Sequence, residues 1–561
     1  MPEQHTSIHD VQMHEPATKD REPQARVQEL LTLYSAHKTC VADLLCDRRD
    51  PASVAYRIVG QDLSVQILRY GALREESERF ASVLDGLGVR AGDRVATLMG
   101  KSREYLVTVL GIWRVGAVHV PLFTAFAPPA IAMRLNGSKA KVVVCDPSQR
   151  EKLNPGADIP TNPGWRIVTT GPADERALAY NALVADAGLF PVPVVTNGDA
   201  PIIHIYTSGT TGRPKAVVVP VRALAAFQAY GEFAFDIRQG DLFWNAADPG
   251  WAYGLYFGVL TTLTTGVQSI LLQGGFSPEL TYAVLSGQGV TNFTAAPTVY
   301  RSLRTSSVSI PAGLKLRCAS SAGEPLTPEV NAWAGQALGI PVHDHYGQTE
   351  AGMLINNHHH PLLKRPLKTG SMGQVMPGWA ATILREQQDE PAAAGEFGRL
   401  AMDLNCSPLA FFAGYLDDPQ NSADKFVGNG RWYLTGDLAR VDSDGNYFFG
   451  SRDDDVIIMA GYRIGPFEIE SVLQSHPAVS ESAVIAVPDP IRGEVMEAVI
   501  VLRNPAAASE DLSKELKNWV KTKYAAHAFP RTIHFAASLP KTPSGKIQRY
   551  VLRQQRRAAL I

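Results

Sequence analysis

The densest chemistry in this sequence lies in Tyr206-Thr-Ser-Gly-Thr-Thr-Gly-Arg-Pro-Lys215, which follows the apolar run Ile202–Tyr206. Such a segment suits a phosphate. Glycines let the backbone close on an anion, consecutive N–H groups can form a nest, hydroxyls add donors, and Lys215 adds a point charge. Thr207, Ser208, Gly209, Thr210, Thr211, Gly212 and Lys215 are therefore the candidate phosphate contacts. The Walker pattern GxxxxGK[ST] cannot be threaded through them. Taken alone, a Gly/Ser/Thr cluster of this kind is more often a mobile surface turn, so the reading depends on what accompanies it.

Five further segments do so. In order they are SAGEP (321–325), YGQTE (346–350), YLTGDLAR (433–440), GYRIGPFEIE (461–470) and PKTPSGKIQR (540–549). With YTSGTTGRPK, they resemble the ordered motifs of the adenylate-forming superfamily, which includes acyl-CoA synthetases, peptide-synthetase adenylation domains and firefly luciferase. The resemblance covers most of the chain after its N-terminal tail. It implies an acid:CoA ligase that makes an acyl-adenylate from ATP and a carboxylic acid and then a thioester with coenzyme A, releasing pyrophosphate and AMP.

Physical chemistry gives each motif a matching task. Mg²⁺ is usually held by one or two carboxylates plus phosphate oxygens, and Glu350 is the candidate. Asp437 has an acceptor-only carboxylate suited to two ribose hydroxyls. Lys546 can screen the repulsion between an attacking carboxylate and the α-phosphate and stabilise the charge that develops. Most lysines near a chain end are simply solvated, and Glu350 out of context would pass for a surface acid.

The resemblance adds other roles. Thr349 would contact the α-phosphate, Arg463 another phosphate oxygen, and Arg452 the ribose. Gly323, Glu324 and Pro325 would flank the adenine, with Tyr346 stacked on it and Asp344 nearby. Asp454 matches the hinge about which the C-terminal domain turns between the two half-reactions, and Gly461 would line the pantetheine channel. The acyl pocket would be built from Trp251, Ala252, Tyr253 and Gly254 with Ala322 and Gly347. Acetate-specific relatives carry tryptophan at the position of Gly347, so glycine there implies a longer substrate. The segments around Trp244 and YGQTE are most similar to medium-chain acyl-CoA synthetases, and a short-to-medium-chain fatty acid is expected, an aromatic acid being the next choice. A stand-alone adenylation enzyme loading a carrier protein, a luciferase-type oxygenase and a catalytically dead nucleotide-binding protein are the alternatives, although Lys546, Glu350, Asp437 and Arg452 together speak against the last.

Two motifs invite other readings. His358-His359-His360 lacks a partner cluster, and consecutive histidines point apart, so a polar loop near the site is expected rather than a metal centre. Gly274-Gly275-Phe276-Ser277 is faintly similar to a carrier-protein attachment site, but it falls in the middle of the large domain, where no separate carrier fits.

The elements that must position these residues follow from periodicity. Ser102 is placed to cap a helix with Tyr105, Leu106, Val109, Leu110 and Trp113 on one face. Lys141–Cys145 and Ile202–Tyr206 look like buried strands. Beyond the turn-rich Asp442–Gly445 the pattern changes: a helix from Pro466 to Gln474, extended runs at 483–487 and 498–502, and a helix from Glu510 capped by Ser509. The expected fold class is α/β: a large multi-subdomain N-terminal α/β domain at 26–451, a hinge at 452–455 and a smaller mobile α+β lid at 456–561. Residues 1–25 are expected to be a disordered extension.

Bulk properties agree. The 561 residues exceed one domain at about 100–200 residues each. Hydrophobic residues make up 45% and charged residues 19%, and 53 basic against 55 acidic side chains give a net charge of -2, so no global field draws nucleic acid. The five cysteines are scattered without a CxxC pair. With no secretory leader pattern, and with Arg114 and His119 interrupting the most apolar stretch around Leu106–Leu122, a cytoplasmic protein without a membrane span is expected. Oligomeric state is not legible.

Overall fold

Helix Arg103–Arg114 shows how local rules build the scaffold. Ser102 Oγ accepts the Tyr105 N–H at 3.1 Å, and Tyr105, Leu106, Val109, Leu110 and Trp113 are all buried. The helix feeds the strand Val118–Pro121, so the apolar stretch is an interior helix and strand. Its polar interruptions find partners inside the protein: Arg114 donates to Ser77 Oγ and Asp47 Oδ2, both at 2.8 Å, and His119 Nε2 meets Thr97 Oγ1 at 2.8 Å, while the buried His119 Nδ1 has no partner. Among the described residues no helix is long and apolar enough to cross a membrane.

The structure, a computed structural model, describes residues 22–207, 214–452, 455, 457–459, 462–489, 493–524, 529–542 and 546–558. Among these, three sheets of fourteen, seven and five strands organise the molecule. The seven-stranded sheet is parallel through Val142–Cys145, Arg94–Leu98, Val118–Pro121 and Pro201–Thr207, and then closes with an antiparallel partner, Lys215–Pro220. Both ends of the candidate phosphate loop are thereby clamped to one hairpin, with Thr207 opposite Lys215.

The central run of the fourteen-stranded sheet is parallel: Leu242–Asn245, Asn292–Ala295, Cys318–Ala322 and Val342–Gln348. It continues antiparallel through Gly352–Asn356 and Ser371–Val375 to Tyr447–Arg452 and Trp432–Val441. This path brings SAGEP and YGQTE, each running off the end of a strand, toward Thr435-Gly436-Asp437, which lies mid-strand in Trp432–Val441 and not in a turn. Ser277, in the Gly-Gly-Phe-Ser segment, caps helix Pro278–Gln288 by accepting from Leu280 N at 3.1 Å, an ordinary helix start.

The last part of the chain has its own core, from Ile457 and Ile469 to Val520 and Ile533. Helix Pro466–Gln474 and helix Glu510–Lys523, the latter capped by Ser509, occur where periodicity placed them. The extended runs are longer than expected, Val479–Asp489 and Gly493–Leu502, and pair antiparallel. At the other end, helix Pro23–Tyr34 begins inside the expected disordered extension to residue 25: Pro23 suits a first helical position, and Val27, Leu30 and Tyr34 are buried. The five cysteines are all free thiols.

That first helix is fastened through a buried ion pair. Arg26 donates from Nε to Glu232 Oε2 and from Nη2 to Glu232 Oε1, both at 2.9 Å, with Gln228 Nε2 adding a bond at 2.8 Å. Removing one partner of a buried pair typically costs about 3–5 kcal/mol because the other charge is left stranded. Arg26→Met should therefore lower the apparent thermal midpoint of the large domain by several degrees, and Arg26→Met with Glu232→Gln should regain most of it. Equal midpoints for the wild type and the single variant would show that the pair is dispensable.

Candidate functional site

A buried carboxylate lies at the centre of the site. Asp437, 6% exposed, is in Trp432–Val441 directly across from Arg452 in the antiparallel register. The Tyr346 hydroxyl donates to its Oδ2, and Gln348 Nε2 donates to the same oxygen at 2.9 Å and to the Thr435 carbonyl at 2.8 Å. Gln348 is oriented in turn by Tyr433, whose hydroxyl donates to Oε1 at 2.9 Å. Burial pushes the Asp437 carboxyl above the usual range, with the Arg452 charge the largest counterweight. Tyr346, expected to stack on adenine, is thus tied to the expected ribose carboxylate.

Glu350 accepts from the Tyr415 hydroxyl at 2.8 Å. Lys215 Nζ donates to Asn421 Oδ1 at 2.7 Å and lies 5.2 Å from the centre of the Tyr415 ring. Lys425 is a cation that motif reading did not single out. Burial pulls its pKa down, and Glu350 and Asp437 partly restore it. Its place in Asn-Ser-Ala-Asp-Lys carries no sequence signal; only folding brings it between the two carboxylates. Tyr415 and Asn421 lack a signal for the same reason, whereas Gln348 and Tyr433 lie inside the YGQTE and YLTGDLAR motifs and only their roles were unread. The Thr349 carbonyl accepts from Tyr256 at 3.2 Å.

Lys546 reaches this cluster from the far end of the chain. Its backbone closes a small hairpin, with Thr542 N donating to the Lys546 carbonyl at 2.7 Å and Lys546 N donating to Thr542 Oγ1 at 3.0 Å. The residue as a whole is exposed, but its ammonium lies deep among protein atoms, and the ammonium's surroundings govern its charge. Burial lowers its pKa, opposed by Glu324, Asp437 and Glu350 and reinforced by Arg452.

On the adenine side, Gly323 has φ of 100°, a left-handed turn that glycine adopts without strain. Arg301 Nη2 donates to Glu324 Oε2 at 2.9 Å, while the buried Glu324 Oε1 has no protein partner. Asp344 accepts the Leu326 N–H at 3.3 Å, and burial pushes its carboxyl up to about 8. An orphaned acceptor and a carboxyl near its titration point can pair with the mixed donors and acceptors of a purine edge.

The expected acyl wall is only partly assembled as anticipated. Trp251 packs against Phe123 and Phe126, with ring centroids 5.3 and 5.5 Å away. Ala252–Gly254 forms a short helix with Tyr253 half-buried, and Ala322 is buried on its strand. Gly347 behaves differently from its expected role as an open pocket floor. It sits at a register shift between Val342–Gln348 and Gly352–Asn356, and a Cβ there would meet the Gly352 carbonyl oxygen at 2.2 Å and Met353 Cα at 2.6 Å. The glycine is required by backbone contact, so its identity does not by itself report chain length.

The three consecutive histidines lie in a loop, as expected, but a buried one. His358, His359 and His360 are 2%, 7% and 2% exposed, and His359 stacks on His343 with centroids 3.6 Å apart. Burial holds the His358 and His359 rings below their usual pKa and so neutral. Among the described residues no group of three or more His, Cys, Asp or Glu could hold a metal. Ser208, Gly209, Thr210, Thr211, Gly212, Asp454 and Gly461 lie outside the described residues. Arg463 is in the strand Tyr462–Ile464, paired with Ile458, and its side chain lies outside them too.

With this geometry in place, comparison with known proteins is informative. Residues 48–416 match the AMP-binding enzyme family and residues 468–546 match the AMP-binding enzyme C-terminal domain. The acetyl-coenzyme A synthetase of Bacillus subtilis (strain 168) is 35% identical over 90% of this chain and 87% of its own length. The mitochondrial acyl-coenzyme A synthetase ACSM4 of Rattus norvegicus is 34% identical over 85% of this chain and 82% of its own. The crystal structure of a Brucella canis acyl-CoA synthetase has a TM-score of 0.74 and 41% identity, covering 97% of this chain and 99% of that one.

The close contact at Gly347 makes a prediction distinct from pocket narrowing. Gly347→Ala should lower the thermal midpoint and slow the reaction with all acids alike, by about tenfold or more, because the added Cβ must push the Gly352 backbone aside. Chain-length profiles of kcat/KM check this. A shortened profile in a fully stable variant would return Gly347 to the pocket floor.

Proposed function

We propose that this chain, which belongs to the AMP-binding enzyme family and is an AMP-forming acyl-CoA synthetase, activates a short-to-medium-chain carboxylic acid in the cytoplasm by two successive displacements at one site. In the first, a carboxylate oxygen of the acid attacks the α-phosphorus of ATP and pyrophosphate leaves. In the second, the thiolate of coenzyme A attacks the acyl carbonyl and AMP leaves with the bond electrons.

The observation that carries this reading is the placement of Lys546 among Glu324, Arg452, Asp437 and Glu350. A lysine from the last twenty residues of the chain has no structural reason to enter a cluster of large-domain charges, whereas an incoming carboxylate and an α-phosphate both need a cation between them. Asp437 receives Tyr346 and Gln348 on one oxygen, and the other is the acceptor for a ribose diol. Glu350, bonded through one oxygen to the Tyr415 phenol, has its other oxygen available for Mg²⁺, which would neutralise phosphate charge when bound. Lys215 and Lys425 supply cations beside it. Ser208–Gly212 would contact the phosphates, with Thr349 and Arg463 adding contacts. The C-terminal unit, from residue 456, turns about 452–455 after adenylation, Asp454 being the pivot, so that Lys546 withdraws and the thiol enters past Gly461.

Lys546→Ala should lower acid-dependent pyrophosphate release by about a hundredfold or more while leaving thioester formation from supplied acyl-adenylate within a few-fold of wild type. The lysine works as a cation, and burial lowers its pKa from the usual value, so wild-type adenylation should fall as pH rises through that lowered pKa. Equal losses in both half-reactions would remove Lys546 from its assigned step.

A further inference from the structure

The strands beneath the acyl pocket have two unlike faces. Register places Asn245 beside Thr294, Thr294 beside Ser320, Ala322 beside His345, and His345 opposite Asn356, so these six residues share one face. The opposite face sends Trp244, Phe293 and Ala319 into an apolar cluster with Tyr300 and Val330. A pocket for methylenes alone would be expected to use the second kind of wall. Tyr253 and Ala322, read above as pocket residues, stand on the first.

Counting protons sharpens this. The Asn357 carbonyl can only accept, so the His345 Nε2 that meets it at 3.1 Å carries a proton, and in the neutral buried ring Nδ1 must accept. The Tyr230 hydroxyl, 2.7 Å from that Nδ1, therefore spends its proton on the histidine. With the Thr294 proton on the Ser320 carbonyl, 3.2 Å away, the Tyr253 hydroxyl, 2.6 Å from Thr294 Oγ1, donates to Thr294. In that arrangement the two phenolic oxygens, 3.4 Å apart, present lone pairs to each other and can both accept from a third group. Close by on the same face, Asn356 is fully buried with neither its amide nitrogen nor its amide oxygen bonded. Unmatched acceptors and an orphaned amide at one place in a protein interior call for a polar occupant.

We propose that the acid activated here carries a hydrogen-bond donor, a hydroxyl or amino group, on its acyl portion, received by the phenolic oxygens of Tyr253 and Tyr230. Tyr230 and Asn356 are sealed from solvent, so the group enters from the half-buried Tyr253 side. The inference rests on the ligase reading and on Tyr253 as a pocket residue; it narrows the substrate class from acids in general to hydroxy- or amino-substituted ones.

The test measures acyl-CoA formation for acids matched in length: hexanoate against hydroxyhexanoates, and benzoate against hydroxy- and aminobenzoates, in the wild type and in Tyr253→Phe. The wild type should prefer at least one donor-bearing acid over its unsubstituted partner by about tenfold or more in kcat/KM. In Tyr253→Phe that preference should fall by about tenfold, with KM for ATP unchanged. Thr294→Val, which frees the Tyr253 proton and turns that phenol into a donor, should weaken the same preference even if the phenylalanine variant folds poorly. Preference for the unsubstituted acid in every pair, or a preference that both variants leave intact, would overturn the inference and make the polar face a seat for structural water. Failure to form any acyl-CoA would instead count against the ligase reading.

Discussion

The arrangement depends on the burial of Asp437. A carboxylate at 6% exposure must be paid for with donors, and Tyr346 and Gln348 provide them from another strand of the same sheet, with the Arg452 charge as a further counterweight. Those bonds join Val342–Gln348 to Trp432–Val441 directly. Beside them Glu350 meets Tyr415, Lys425 feels the charges of Glu350 and Asp437, and Gln348 is held at both ends. The same residues that would contact a nucleotide therefore also join the two parts of the sheet. Nucleotide affinity and rigidity are coupled for this reason.

The second constraint is the asymmetry of the parallel strands. Their outer face is an ordinary apolar core under Pro278–Gln288, Pro297–Thr305 and Pro328–Ala337. Their inner face carries hydroxyls, imidazoles and an amide. Neutral histidines tolerate this interior because each ring nitrogen can either donate or accept, and His343 and His345 both spend a proton on the Asn357 carbonyl. On the proposed reading, this polar face is the wall that tells one acyl group from another.

Much of the site was legible from the sequence because adenylate chemistry places strong demands on short segments. Asp437, Glu350, Tyr346 and Lys546 each sit in a string whose neighbours are also constrained, and the caps at Ser102 and Ser509 announce their helices through local hydrogen bonds. What was hidden depends on register and distance. Tyr415 meets Glu350 from 65 residues away, and Tyr433 meets Gln348 from 85, with no local trace of either contact. Histidines 358 to 360 read as a polar loop because sequence shows their polarity but not the sheet face that covers them. Gly347 read as pocket space because a missing side chain looks the same whether it leaves room for substrate or for the Gly352 carbonyl.

The account's central claim is that the acid is activated by its own oxygen attacking the α-phosphorus at the Asp437 and Lys546 site. The most direct measurement starts from an acid carrying heavy oxygen in its carboxylate and follows the label by mass spectrometry of the products. One labelled oxygen should appear in AMP for each acyl-CoA formed, the other remaining in the thioester carbonyl, with pyrophosphate unlabelled. Label in inorganic phosphate, or AMP free of label while acyl-CoA accumulates, would contradict an acyl-adenylate and the site built here to make it.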